Sequence, residues 1–132
     1  MSRASALLLM FVLSLVCIPV ASAGKAHFVG SPVCTADGGQ LCCSGKVAGL
    51  GTAPTVVRIA AQFNCENQGG NQPPGQASGK SAPIEPRGGQ ITFDVCASGR
   101  CPDQMEPLFG GVATINIFQN GDLVFSAGIP ID

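Results

Sequence analysis

The stretch Ala113-Thr114-Ile115-Asn116-Ile117-Phe118-Gln119-Asn120-Gly121-Asp122-Leu123-Val124-Phe125-Ser126-Ala127 decides the fold class. Ala113, Ile115 and Ile117 alternate with Thr114 and Asn116, the period-two pattern of a strand with one face in a core. Asn120-Gly121 follows, and both residue types tolerate the positive φ that a type I′ turn demands. Leu123, Phe125 and Ala127 then resume the alternation. The stretch predicts a two-residue β-hairpin.

The same period recurs upstream. Between Thr55 and Cys65, the residues Val57, Ile59, Ala61, Phe63 and Cys65 share one face. Val56, Arg58, Gln62 and Asn64 share the other. Ile91, Phe93 and Val95 alternate with Thr92 and Asp94. Leu41 to Val47 and His27 to Val33 carry fainter versions. Ser81 to Glu85 reads as a short strand that Pro83, lacking an N–H, keeps at a sheet edge. Glycine pairs at Gly38-Gly39, Gly88-Gly89 and Gly110-Gly111 punctuate these runs. About seven short strands with turns between them predict an all-β fold. The expected form is an antiparallel two-sheet sandwich, immunoglobulin-like and disulfide-stapled. No helix of any length is expected, although Pro102 to Pro107 has room for one helical turn.

Glu66 to Ser81 is polar and nearly free of large apolar side chains, so it reads as a long loop. A loop of that length in a small domain is functional or mobile. Asn67, Asn71, Pro73, Pro74 and Gln76 are its candidate contact residues.

Composition narrows the function. The 132 residues include 18 Gly and 10 Pro, which disfavours a helix bundle. Seven basic and eight acidic residues give a net charge of -1. Only 11% of residues are charged, against a usual share of roughly 25%. A surface this weakly charged argues against nucleic acid or anionic membrane as the partner. Residues 1–23 have the three parts of a signal peptide. Arg3 opens it, an apolar run from Ala6 to Val20 follows, and Ala21-Ser22-Ala23 offers a small-x-small cleavage site. The apolar run is shorter than the ~20 residues that span a bilayer. The expected organisation is a removable leader over 1–23 and a single domain over 24–132, secreted or on the cell surface, with no membrane insertion after cleavage.

Cys17 belongs to the leader. Six cysteines remain: Cys34, Cys42, Cys43, Cys65, Cys96 and Cys101. An even number in a small exported chain reads as disulfides. Cys-x-x-Cys is absent and His27 is the only histidine, so neither a zinc site nor a thiol redox site is expected. Cys42 and Cys43 are neighbours and on a strand point to opposite faces, so they should take different partners. Cys101 has two candidate partners, Cys96 across a short loop and Cys65.

No catalytic residue and no cofactor is expected. A Ser-His-Asp or Cys-His site would need His27, which reads as a surface residue on an edge strand. Asp94, Asp103 and Glu106 are candidates for a glycosidase carboxylate pair. Sugar sites usually stack rings on Trp or Tyr, both absent here, and most of the seven Phe alternate into the core. Glu66, Asn67, Asn71 and Asp103 are the oxygen ligands that a calcium site would use, at a spacing that fits no standard loop.

Three stretches together resemble an uncharacterised family of small secreted bacterial proteins. They are Cys43-Ser44-Gly45-Lys46-Val47-Ala48-Gly49-Leu50-Gly51, then Cys65-Glu66-Asn67-Gln68-Gly69-Gly70-Asn71-Gln72-Pro73-Pro74-Gly75, then Cys101-Pro102-Asp103. The resemblance covers nearly all of the chain after the leader. It implies a secreted β-sandwich with no established activity, and a bridge between Cys65 and Cys101. A second resemblance is to fungal hydrophobins. Cys34, Cys42-Cys43 and Cys65 echo the first half of their cysteine pattern, while the second Cys-Cys and the last cysteine are missing. The expected function is that of a non-enzymatic binding or structural protein acting on an extracellular protein or polymer. The alternatives are an amphiphilic surface-coating protein and a small secreted hydrolase.

Overall fold

The computed structural model describes residues 25–66, 74–102 and 105–132, and the expected leader lies outside them. Nine strands and no helix occur among the described residues: β1 (His27–Phe28), β2 (Val33–Asp37), β3 (Gln40–Ala48), β4 (Thr55–Glu66), β5 (Pro74–Lys80), β6 (Ile91–Ser98), β7 (Glu106–Phe109), β8 (Val112–Gln119) and β9 (Asp122–Pro130). They form two antiparallel sheets.

β3 is the centre of the first sheet. On one side it pairs with β6, from Gln40↔Ser98 to Val47↔Ile91. On the other it pairs with β2 through Cys34↔Cys43 and with β1 through Phe28↔Val47. β1 and β2 are thus two halves of one edge, parted at Gly30-Ser31-Pro32. β4 is the centre of the second sheet. β5 lies on one side, and β8 and β7 lie end to end on the other. β9 pairs with β8 outside them. The hairpin turn at Asn120-Gly121 has φ of 53° and 82°, the two positive values a type I′ turn requires.

One core joins the sheets. Leu41, Cys43 and Val47 from β3 meet Val57, Ile59 and Phe63 from β4, Phe93 and Val95 from β6, and Ile115 and Ile117 from β8. Two aromatic pairs extend it towards the ends. Phe63 lies 5.3 Å from Phe109, and Phe28 meets Phe125 edge-on at 5.1 Å. The sheets also touch along their edges. β5 runs so close to β6 that a Cβ on Gly79 would strike the Cys96 carbonyl oxygen. At the opposite edge Cys34 bridges Ile131, and the Asp132 N–H donates to the Cys34 carbonyl at 2.9 Å.

Three disulfides staple this frame. Cys34–Cys43 and Cys42–Cys96 join directly opposed residues within the first sheet. The neighbouring cysteines do point to opposite faces. Cys34 and Cys43 are fully buried, whereas Cys96 is exposed on the outer surface. Cys65–Cys101 ties the end of β4 to the β6–β7 connection, the pairing that the family resemblance implies and not the short Cys96–Cys101 loop. Three bridges in a chain this small belong to an oxidising environment.

Three expectations need correction. Pro74–Lys80 is strand β5, so the second half of the expected Glu66 to Ser81 loop is not a loop. Its inward positions are Gly75, Ala77 and Gly79, which hide the alternation because none is large. They are small for a reason: a Cβ on Gly75 would enter the Phe63 ring, and Gly79 abuts β6. Ser81 to Glu85 forms no strand, only the isolated bridge Thr55↔Ile84, because prolines at 83 and 86 remove the donors that would extend it. Of the expected turn over Pro102 to Pro107, Asp103 and Gln104 lie outside the described residues; the Met105 N–H donates to the Pro102 carbonyl at 3.1 Å, and Glu106 and Pro107 open β7, which continues the ladder on β4. His27 to Val33 is not one strand either, since Gly30, at a φ of 78°, and Pro32 break the edge between β1 and β2.

Candidate functional site

The period of two that buries one face of the second sheet leaves the other open to solvent. Cross-strand register turns that outer face into rows. Val56 lies opposite Phe118, and Phe118 opposite Leu123, which makes an apolar row across β4, β8 and β9. Leu123 is 55% exposed and Phe118 half-buried. The next row holds Lys80, Arg58, Asn116 and Ser126, the last two joined by a 2.6 Å hydrogen bond. Beyond it come Ser78, Ala60 and Thr114, all uncharged.

Arg58 and Lys80 are therefore two exposed cations facing each other across one ladder. Like charges in that position repel. Among the described residues neither side chain has an ion pair or a hydrogen bond. Between them and the apolar row lies a shallow depression of about 240 Å³, lined by Pro54, Val56, Arg58, Lys80, Phe118 and Asn120. Gln119 fixes one wall of it. Its amide Nε2 donates to the Leu50 carbonyl at 2.7 Å, to the Thr55 hydroxyl at 3.1 Å and to the Ala53 carbonyl at 3.2 Å. The Thr55 hydroxyl in turn donates to Ala53 at 3.0 Å. That network pins the β3–β4 connection, and so Pro54, beside the β8–β9 turn.

The residues singled out from sequence are scattered. Asn67, Asn71 and Pro73 lie outside the described residues, as does Asp103. Pro74 and Gln76 are exposed on the edge strand β5, opposite Asn64 and Gln62. All six candidate cysteines are consumed in the three bridges. His27 is exposed on β1, its Nδ1 2.8 Å from the Lys25 carbonyl. Asp94 sits on the outer face of the first sheet and Glu106 on β7 of the second, so they do not share a face. No group of three or more potential metal ligands assembles among the described residues. A larger depression of about 410 Å³ lies between Asp37, Gly38 and Gly39 of the β2–β3 turn, Glu106 to Phe109, and Asp132. No helix among the described residues is long and apolar enough to cross a membrane.

Arg58 is visible in the sequence as an outward member of its strand. Phe118 is not singled out there, and the alternation places Leu123 on one face with Phe125 and Ala127. A bulge at Ile117/Phe118 instead pairs Phe125 with buried Ile117 and turns Leu123 outward beside Phe118. What sequence reasoning missed is Lys80, because β5 itself was hidden, and with it the opposition of two cations.

No protein-family model matches the chain, and no curated protein does. Solved structures give distant likenesses. A Pseudomonas fluorescens alkylpurine DNA glycosylase bound to DNA aligns over 86% of this chain at 15% identity and a TM-score of 0.40. A Streptomyces venezuelae β-glucosidase in complex with D-glucose aligns over 81% at 15% identity and a TM-score of 0.38. This chain spans only 33% and 15% of those two proteins.

Proposed function

We propose that the protein is an exported, non-enzymatic binding module of the immunoglobulin-like sandwich type, and that the outer face of its second sheet meets an extracellular or cell-surface polymer. The observation that carries this reading is the juxtaposition on one open face of the apolar row Val56, Phe118 and Leu123 with the unpaired cations Arg58 and Lys80. Monomeric surfaces scatter their exposed apolar groups, and a contiguous one beside uncompensated charge is the composition of a contact surface. The immunoglobulin-like assignment is supported by connectivity. Nine strands fill three ladder positions in one sheet and four in the other, and the chain crosses between sheets after β3, β5 and β6. Folds of this class carry function on grafted surfaces and not in the core.

The test is co-sedimentation of the purified full chain with the insoluble envelope fraction of cells that export it. Wild type and a Thr92→Ala variant, altered on the outer face of the first sheet, should sediment. The Phe118→Ser/Leu123→Ser variant should stay in solution with an unchanged circular dichroism spectrum. A wild type that stays soluble, or a double variant that sediments equally, overturns the reading.

A further inference from the structure

Resting on the binding-module reading, we infer that Arg58, Lys80 and Phe118 form a subsite for a carboxylate-bearing sugar unit of an acidic polysaccharide. Three observations converge. Two cations stand directly opposite each other with no anion among the described residues to relieve them, so a bound carboxylate would remove a repulsion as well as add an attraction. Arg58 offers the planar fork that matches a carboxylate, and Lys80 a second charge beside it. Phe118 has a phenyl ring turned to the outer face, flanked by Val56 and Leu123. A pyranose presents a face of C–H groups, which the negative face of an aromatic ring attracts, and a polar rim. Asn120, at the edge of the depression, supplies an amide that can both donate to and accept from hydroxyls.

Size and setting select a sugar chain. A depression of about 240 Å³ is smaller than the roughly 300–1,000 Å³ of drug-sized sites, so it takes one ring. The face is open, which lets a polymer run on past that ring in either direction. An extended peptide would draw main-chain hydrogen bonds from a free strand edge. Arg58 and Phe118 instead lie on β4 and β8, each paired on both sides, and of the three residues only Lys80 stands on an edge strand, so a chain seated over all three lies across the sheet face.

The experiment is isothermal titration of the full chain with tetragalacturonate, its tetramethyl ester and tetraglutamate. Tetragalacturonate should bind, and esterification or the Arg58→Gln/Lys80→Gln double variant should weaken it about tenfold or more. Phe118→Ser should weaken the acid and the ester by the same factor. Absence of tetragalacturonate binding, an ester that binds as well as the acid, or tetraglutamate binding as tightly each overturns the subsite. The broader reading fails separately: if the chain still co-sediments through its Phe118 face while tetragalacturonate does not bind, only the sugar assignment falls.

Discussion

Replacing Gly79 with alanine tests how the two sheets are held together. The added Cβ would collide with the Cys96 carbonyl oxygen, and would stand 3.0 Å from that carbonyl carbon and 3.4 Å from the Ala97 Cα. All three atoms are backbone, so no side chain can swing aside. Neither strand is free to retreat. Cys96 is cross-linked to Cys42 and sits in a ladder running from Gln40 to Val47, while β5 is paired with β4 from Arg58 to Asn64. The seam must therefore open, with loss of packing over Ala77 and Ala97. Overpacking of this kind costs about 1–3 kcal/mol, and a backbone-on-backbone clash belongs near the top of that range. For a domain of about 100 residues the expected fall in Tm is roughly 10–20 °C. Gly128→Ala is the control. Its Cβ would meet only the Val112 Cγ1 at 2.9 Å, the end of an exposed side chain that can rotate away. Thermal unfolding of the oxidised protein followed by circular dichroism reads both variants. A Gly79→Ala protein melting within 2 °C of wild type, a window taken as about the margin of such a scan, would refute the close approach of β5 to β6.

The three bridges should differ in what they contribute, because they close chain loops of 9, 36 and 54 residues. Loop entropy alone gives about 2.5 kcal/mol for Cys34–Cys43 and about 4 kcal/mol for each of the others, so paired Cys→Ala variants compared by urea unfolding should separate the first from the other two. Under graded dithiol reduction with differential alkylation, Cys42–Cys96 should open before Cys34–Cys43, since Cys96 is exposed to an attacking thiolate and the other pair is fully buried. Gln119→Leu removes the donor shared by Leu50, Ala53 and Thr55 and should cost about 1–3 kcal/mol in urea unfolding. Tensiometry at micromolar protein should show no hydrophobin-like fall in surface tension, because the exposed apolar side chains Val29, Val33, Leu108 and Val112 lie on four different segments, and only Leu123 and Val124 are neighbours, on β9.

The strands legible in sequence are those whose inward residues are large. β4, β6 and β8 alternate Val, Ile or Phe with polar groups, and a period of two needs no further context; β9 is located by the Asn120-Gly121 turn, but the bulge that turns Leu123 outward is not legible in it. β5 was illegible because its inward residues are Gly75, Ala77 and Gly79, chosen by what lies above them and not by the strand itself: the Phe63 ring and the β6 backbone. Only tertiary contact explains such a pattern. β7 is four residues long and starts at Glu106-Pro107, a sequence that reads as a turn until β4 is seen to extend past β8 and offer it a partner. The opposite facing of Cys42 and Cys43 follows from strand geometry. Their partners do not, because Cys34 and Cys96 reach them only once β2 and β6 flank β3.

The candidate site was illegible for the same reason, and that is why its charges are informative. Basic residues in the described chain are few: Lys25, Lys46, Arg58, Lys80, Arg87 and Arg100. Lys46 faces Thr92 in its ladder, with Asp94 two positions along on the same face of β6. Lys25, Arg87 and Arg100 lie outside the named strands. Arg58 and Lys80 alone are ladder partners, and random placement of so few cations rarely opposes two of them. A cross-strand pair of like charge lowers the stability of the sheet by a few tenths of a kcal/mol or more. A neutral or opposite pair would fold at least as well on that exposed face, so folding does not require this arrangement. An anion seated between the two side chains reverses the sign of the interaction, which makes ligand binding the condition under which Arg58 and Lys80 stabilise the structure that holds them.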